Sequence, residues 1–107
     1  MKKSINWINI DGIPWKVLKE GIYVKVLSSD PETGTYTRLL KFDPGARTSE
    51  VSIHNFWEEV FVLKGSIIDE TAGMQVREGF YICREPGTKH GPFKSLDGCL
   101  LLECTYR

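Results

Sequence analysis

Glycine and proline interrupt this chain about every ten residues, and between the breaks no window keeps a helical apolar period for about three turns. Ten glycines and five prolines occur in 107 residues. Such spacing admits strands of about four to eight residues and no long helix, so an all-β fold is expected. Short strands leave many edges, and edges must be closed or covered to prevent edge-to-edge pairing. A barrel-like jelly roll is therefore favoured over an open sheet.

The segments fit that class. Gly21–Leu27 is rich in β-formers, Ser28–Gly34 is a cluster of turn residues, and Thr35–Phe42 reads as the antiparallel partner, ended by Asp43-Pro44-Gly45. Val60–Leu63 reads as a short strand ending at Lys64-Gly65, with Ser66–Glu70 returning. Thr71-Ala72-Gly73 then turns the chain, and Met74–Gly79 leads to a strand over Phe80–Cys83. The last strand is Cys99–Tyr106, with Leu100, Leu102, Cys104 and Tyr106 on one face. Val17–Glu20 reads as a short strand or a turn.

Apolar residues make up 41% and charged residues 26%, as in an ordinary globular domain, and the length suits one domain over residues 1–107. Fourteen basic residues balance fourteen acidic ones. Neither nucleic acid nor an anionic membrane is therefore expected as a partner. The longest apolar runs, such as Val60–Leu63, are too short to cross a bilayer. Cys83, Cys99 and Cys104 are an odd number with no Cys-x-x-Cys pair, which argues against a disulfide framework and for a reducing compartment. The start is basic, but asparagines interrupt its apolar residues, so no signal sequence forms and a cytoplasmic location is expected.

The chain has only two histidines. His54 lies between Gly45 and Gly65, and His90 follows Gly79 and Pro86-Gly87. Alternate side chains of a strand share a face, so Ser52, His54 and, if the strand is unbroken, Glu58 point the same way. A bend at Asn55-Phe56 would instead bring Glu58 back on a neighbouring strand. Glu59 would face away from Glu58. His90, after its Pro-Gly turn, can reach the same cavity from another strand. Two imidazoles and a carboxylate suit a divalent metal ion, Fe, Zn, Mn, Ni or Cu, and leave coordination positions open for water or substrate.

These phrases resemble the two cupin motifs, over about residues 36–106. His54, three residues, Glu58, six residues and Gly65 match the end of the first motif; Gly79, Gly87 and His90 match the second. Ser52 stands in the place of the first motif histidine. The gap from Gly45 to that place is one residue longer than usual, Pro86 is one place late, and Lys94 stands where asparagine is common. The phrases around Phe56–Gly65 and His90–Ser95 are similar to those of small bacterial cupins related to anti-sigma-factor cupin domains and acetylacetone-cleaving dioxygenases. The resemblance implies a double-stranded β-helix with a metal held by His54, Glu58 and His90. It implies a metal-dependent dioxygenase or related enzyme acting on a small oxygenated molecule, or alternatively a non-catalytic ligand- or stress-sensing module. It also implies a homodimer, for which Trp7, Ile8, Ile10 and Trp15 offer an apolar surface.

Other residues are candidates for the pocket. Ser52 can hold a metal-bound water, and Glu50 shares its strand parity as a replacement ligand. Arg38 shares a face with Leu40 and Phe42; it points into the barrel or, as an edge-strand arginine, into solvent. Tyr81 and Cys83 share a face on the strand before His90. Phe56, Trp57 and Phe93 either wall a pocket or pack the core.

Overall fold

Strands form where the punctuation leaves room for them. The structure, a computed structural model, describes residues 1–107. After a short 3-10 turn at Ile10–Gly12 come β1 (Lys16–Lys19), β2 (Ile22–Asp30), β3 (Thr35–Phe42), β4 (Ser52–Ile53) and β5 (Trp57–Asp69). They are followed by β6 (Met74–Arg77), β7 (Tyr81–Arg84), β8 (Lys89–His90), β9 (Phe93–Lys94) and β10 (Cys99–Tyr106). The all-β expectation holds. β2 runs on to Asp30 instead of stopping at Leu27: a register shift between Val26 and Ser28 leaves Leu27 unpaired, and Ser28, Ser29 and Asp30 then pair with Thr37, Tyr36 and Thr35.

The main sheet runs β1-β2-β3-β10-β5-β6, and every pairing is antiparallel. The last strand thus lies between β3 and β5. β7 pairs with the first part of β5, β6 and β9 pair with its end, and β4 pairs with β8 apart from the main sheet. The eight buried residues of the apolar core come from β2, β3, β5 and β10: Ile22, Leu40, Phe42, Val60, Val62, Ile67, Cys99 and Leu101. All three cysteines are free, and no helix is long and apolar enough to cross a membrane.

β5 corrects the expectation of a strand ending at Lys64-Gly65 and a separate one returning. It is a single strand of 13 residues. Gly65 sits at φ +73°, and a Cβ there would lie 2.0 Å from the Gly98 carbonyl oxygen. The register against β10 shifts beside it, between Leu100 and Leu101. Because one inserted residue flips the faces of a strand, inward positions change parity across Gly65. Glu58, Val60 and Val62 line the interior cavity before it, and Ile67 and Asp69 after it, while the buried Ser66 bonds with Ser95 and Asp97 instead.

β10 buries Cys99, Leu101, Glu103 and Thr105, the opposite alternation to Leu100, Leu102, Cys104 and Tyr106. Both alternations carry leucines, so composition does not choose between them; pairing of Leu101, Glu103 and Thr105 with the buried Val62, Val60 and Glu58 does. At the N-terminus Trp7 is 99% exposed, with Ile8 and Ile10 also exposed. Trp15 instead packs under the Lys25 and Lys41 ammonium groups.

Gly65→Ala is expected to cost more than about 3 kcal/mol, since left-handed backbone strain adds to a carbonyl that must move. Gly73 also has positive φ but open space around its Cβ direction, so Gly73→Ala should cost only about 1 kcal/mol. Urea denaturation measures both; equal losses would contradict the role given to Gly65.

Candidate metal centre

His54, Glu58 and His90 are brought together, with one ligand atom from each lying within 4.8 Å of the others. His54 Nε2 is 3.8 Å from Glu58 Oε2, and His90 Nδ1 is 3.8 Å from Glu58 Oε1. Glu58, near the start of β5, faces inward. Glu59 faces outward and accepts a hydrogen bond from the Tyr81 hydroxyl. His54 lies in the stretch between β4 and β5, stacked on Phe56 with ring centroids 4.7 Å apart. The Gly87 amide donates to the His54 carbonyl at 2.8 Å, which ties the Pro-Gly turn before His90 to the first histidine. Ser52 pairs directly with His90 across β4 and β8, so their side chains share a face. Glu50 is exposed and outside the group.

The interior is more charged than the sequence suggested. Arg84, opposite Glu58 on β7, donates to Glu58 Oε1 at 2.7 Å and to Asp69 Oδ2 at 3.2 Å. Asp69 also accepts from the Gly91 amide at 3.1 Å, which fixes the backbone next to His90. Arg38 points inward: its Nε donates to Glu103 at 2.5 Å, and its guanidinium lies over the Tyr36 ring. The solvent-facing reading of Arg38 is thereby set aside. Phe93 packs edge-on to His90 and lines the interior cavity. Tyr81 borders that cavity, but half its surface is exposed, its ring packs on Phe61 and its hydroxyl is engaged by Glu59. Trp57 is also exposed, whereas Phe56 packs on His54.

Burial governs the protonation of the three residues. It pushes His90 down to about 4, helped by the charge of Arg84 and by His54. It also lowers His54. Both rings are therefore favoured in the neutral form that ligates metals. Burial and then Glu103 push Glu58 up to about 7, against the pull of Arg84. The His–Glu contacts are thus not ion pairs. The ring nitrogens of His90 are buried with no hydrogen-bond partner. Metal bonds of about 2.0–2.2 Å set tetrahedral ligand atoms roughly 3.4 Å apart, so small side-chain movements would close this group around an ion.

Arg84, Asp69, Glu103 and Tyr36 were not singled out from the sequence. Arg84 and Glu103 belong to inward alternations that only cross-strand register reveals. Asp69 turns inward only because of the parity change at Gly65.

The sequence matches the family described as the ChrR cupin-like domain over residues 4–106. No curated protein matches it. Similar solved structures include an RmlC-like cupin from Shewanella frigidimarina, with 18% identity, a TM-score of 0.81, and coverage of 98% of this chain and 93% of that one. An acetylacetone dioxygenase from Acinetobacter johnsonii has 20% identity, a TM-score of 0.80, and coverage of 97% and 74%. The structure of Rhodobacter sphaeroides SigE in complex with the anti-sigma ChrR has 22% identity, a TM-score of 0.70, and coverage of 92% and 51%. At these identities the likeness speaks for the fold, which is the cupin jelly roll. With a family match spanning nearly its whole length, the chain belongs to the ChrR cupin-like family.

Proposed function

We propose that this chain binds a divalent metal through His54, Glu58 and His90 and acts as a metal-dependent dioxygenase or related enzyme on a small oxygenated organic molecule. One observation carries the reading: a buried imidazole with neither nitrogen partnered, beside a second histidine and a carboxylate. An unsatisfied buried polar group costs about 1–3 kcal/mol, and a shared cation offsets that cost. Fe, Zn, Mn and Ni all suit the donor set. Such an ion supplies Lewis acidity at an oxygen ligand and, if it is iron, a place for O₂.

The chain's own residues prepare the site. Arg84 holds one oxygen of Glu58, and Glu58 Oε2 is left towards His54. Asp69 anchors the backbone beside His90. Ser52, across from His90, offers a hydroxyl to a bound water. Apolar side chains make up most of the wall of the adjoining cavity. Likeness to the acetylacetone dioxygenase supports an enzyme; membership of the ChrR cupin-like family supports the second reading, a ligand- or stress-sensing module. A homodimer using the exposed Trp7 and Ile8 belongs to either reading.

Calorimetry with Zn²⁺ and Mn²⁺ is expected to give one ion per chain. His54→Ala and His90→Ala should each weaken binding beyond the roughly 10–100-fold that loss of an outer partner costs. Ser52→His adds a donor and should tighten it. Affinity should fall as pH drops below about 7, where Glu58 is protonated and must release that proton. Absence of a bound ion in wild type would end the metal reading.

Arg84→Met leaves two inward carboxylates without their cation and should lower stability by about 3–5 kcal/mol. Because a divalent ion restores positive charge beside Glu58, Zn²⁺ should raise the melting temperature of Arg84→Met more than that of wild type. Equal shifts would mean that the ion does not bind at Glu58.

Oxygen uptake by the iron-loaded protein separates the two readings. Turnover with one of a panel of small carbonyl compounds, lost in His54→Ala, supports the enzyme; tight iron binding without uptake on any of them favours sensing.

A further inference from the structure

The cavity next to His90 continues away from His54, which does not line it. It holds about 180 Å³, and 13 of its 18 lining residues are hydrophobic. Its walls include the buried Val62, Ile67 and Leu101. Met74, Phe80 and Ile82 also line it, yet each is exposed. They lie on β6, on β7 and in the stretch between them, and both strands pair with β5 alone. The unpaired edge of β6 and β7 is therefore the mouth of an apolar slot whose inner end is polar.

The groups at that inner end select the ligand's charge. Glu58 and Asp69 share Arg84, and Glu103 is taken by Arg38. Three carboxylates face two guanidiniums, and each guanidinium already donates to a carboxylate. An anionic head group would meet a surplus of negative charge. A cationic one would have to compete with Arg84 and Arg38 for the carboxylates. The buried polar atoms without a partner are His90 Nδ1 and Nε2. A neutral imidazole offers one donor and one acceptor, which matches a hydroxyl or a carbonyl oxygen. For size, an apolar cavity of about 150 Å³ takes benzene, so this slot suits an apolar body of about six to eight carbons.

We propose that the slot binds a neutral aliphatic alcohol or ketone of about six to eight carbons, with its body between Val62, Ile67 and Leu101 and its oxygen at His90. This rests on the reading of the barrel interior as a small-molecule site and names the ligand class; it does not require the ion.

The two methionines provide the test. Met74 is at the mouth and Met1 is at the exposed N-terminus. In metal-free protein labelled with ¹³C at the methionine methyls, 1-heptanol and 2-heptanone should shift the Met74 resonance saturably and leave Met1 unmoved. Heptanoate at pH 8 should bind at least tenfold more weakly. Ile82→Trp, which fills the mouth, should weaken heptanol binding at least tenfold while leaving Zn²⁺ affinity unchanged. An unmoved Met74 signal, parallel shifts of both methyls, or equal binding of heptanoate would overturn the slot, and the wild-type titration decides even if the tryptophan variant does not fold. Zn²⁺ calorimetry on the same samples reads the metal centre separately. Heptanol binding without metal uptake upholds the slot and removes the metal reading, and metal uptake without heptanol binding does the reverse.

Discussion

A single strand has to serve both sides of the barrel, and the rest of the structure depends on how it does so. β5 pairs with β10 and β7 before Gly65, and with β6 and β9 after it. A side chain at position 65 would collide with the Gly98 carbonyl, and the backbone there occupies the left-handed region. Glycine meets both demands. The accompanying register shift moves the inward face from even to odd positions, which puts Glu58 and Asp69 on the inside at opposite ends of one strand. Arg84 can then bind both. The site is therefore a consequence of a backbone irregularity.

The polar groups gathered there are poor candidates for stabilising the fold. Buried ion pairs recover little more than their desolvation cost, and hydrophobic replacements of similar shape often do as well. Here Arg84 and Arg38 are matched to Glu58, Asp69 and Glu103, so no inward carboxylate named here lacks a guanidinium. His90 is the exception, since its ring is buried and has no hydrogen bond. A satisfied network around one unsatisfied imidazole suits a site that takes a ligand or an ion, because binding gives that buried group its missing partner. The low pKa of His90 has the same origin, since burial and the charge of Arg84 both favour the neutral ring.

The parts of this site that were legible in the sequence are those carried by local spacing. His54 and Glu58 were named by their spacing to Gly65 and His90 by its Pro-Gly turn; the strand breaks between Ile53 and Trp57, so the bend, and not unbroken strand parity, brings Glu58 beside His54. The all-β class followed from glycine and proline spacing. What local spacing does not contain is which strand lies beside which. Glu103 was passed over because leucines stand on both faces of β10, and only its pairing with β5 shows which face is inner. Arg84 needed its pairing with Glu58, and Asp69 needed a bulge that reads in the sequence like the end of a strand. Tyr81 shows the same limit from the other side: it is on the expected strand, but its hydroxyl is taken by Glu59 on the outer face.

Two imidazoles and a carboxylate inside the barrel are grouped as a metal ion would need them. Whether they hold one is decided by X-ray absorption at the zinc edge, on protein loaded with one equivalent of Zn²⁺. A site of His54, Glu58 and His90 gives neighbouring nitrogen and oxygen atoms only, at about 2.0–2.2 Å, with outer scattering from two imidazoles. Sulfur in the first shell, as exposed Cys83 would supply, or scattering from fewer than two imidazoles, would contradict it.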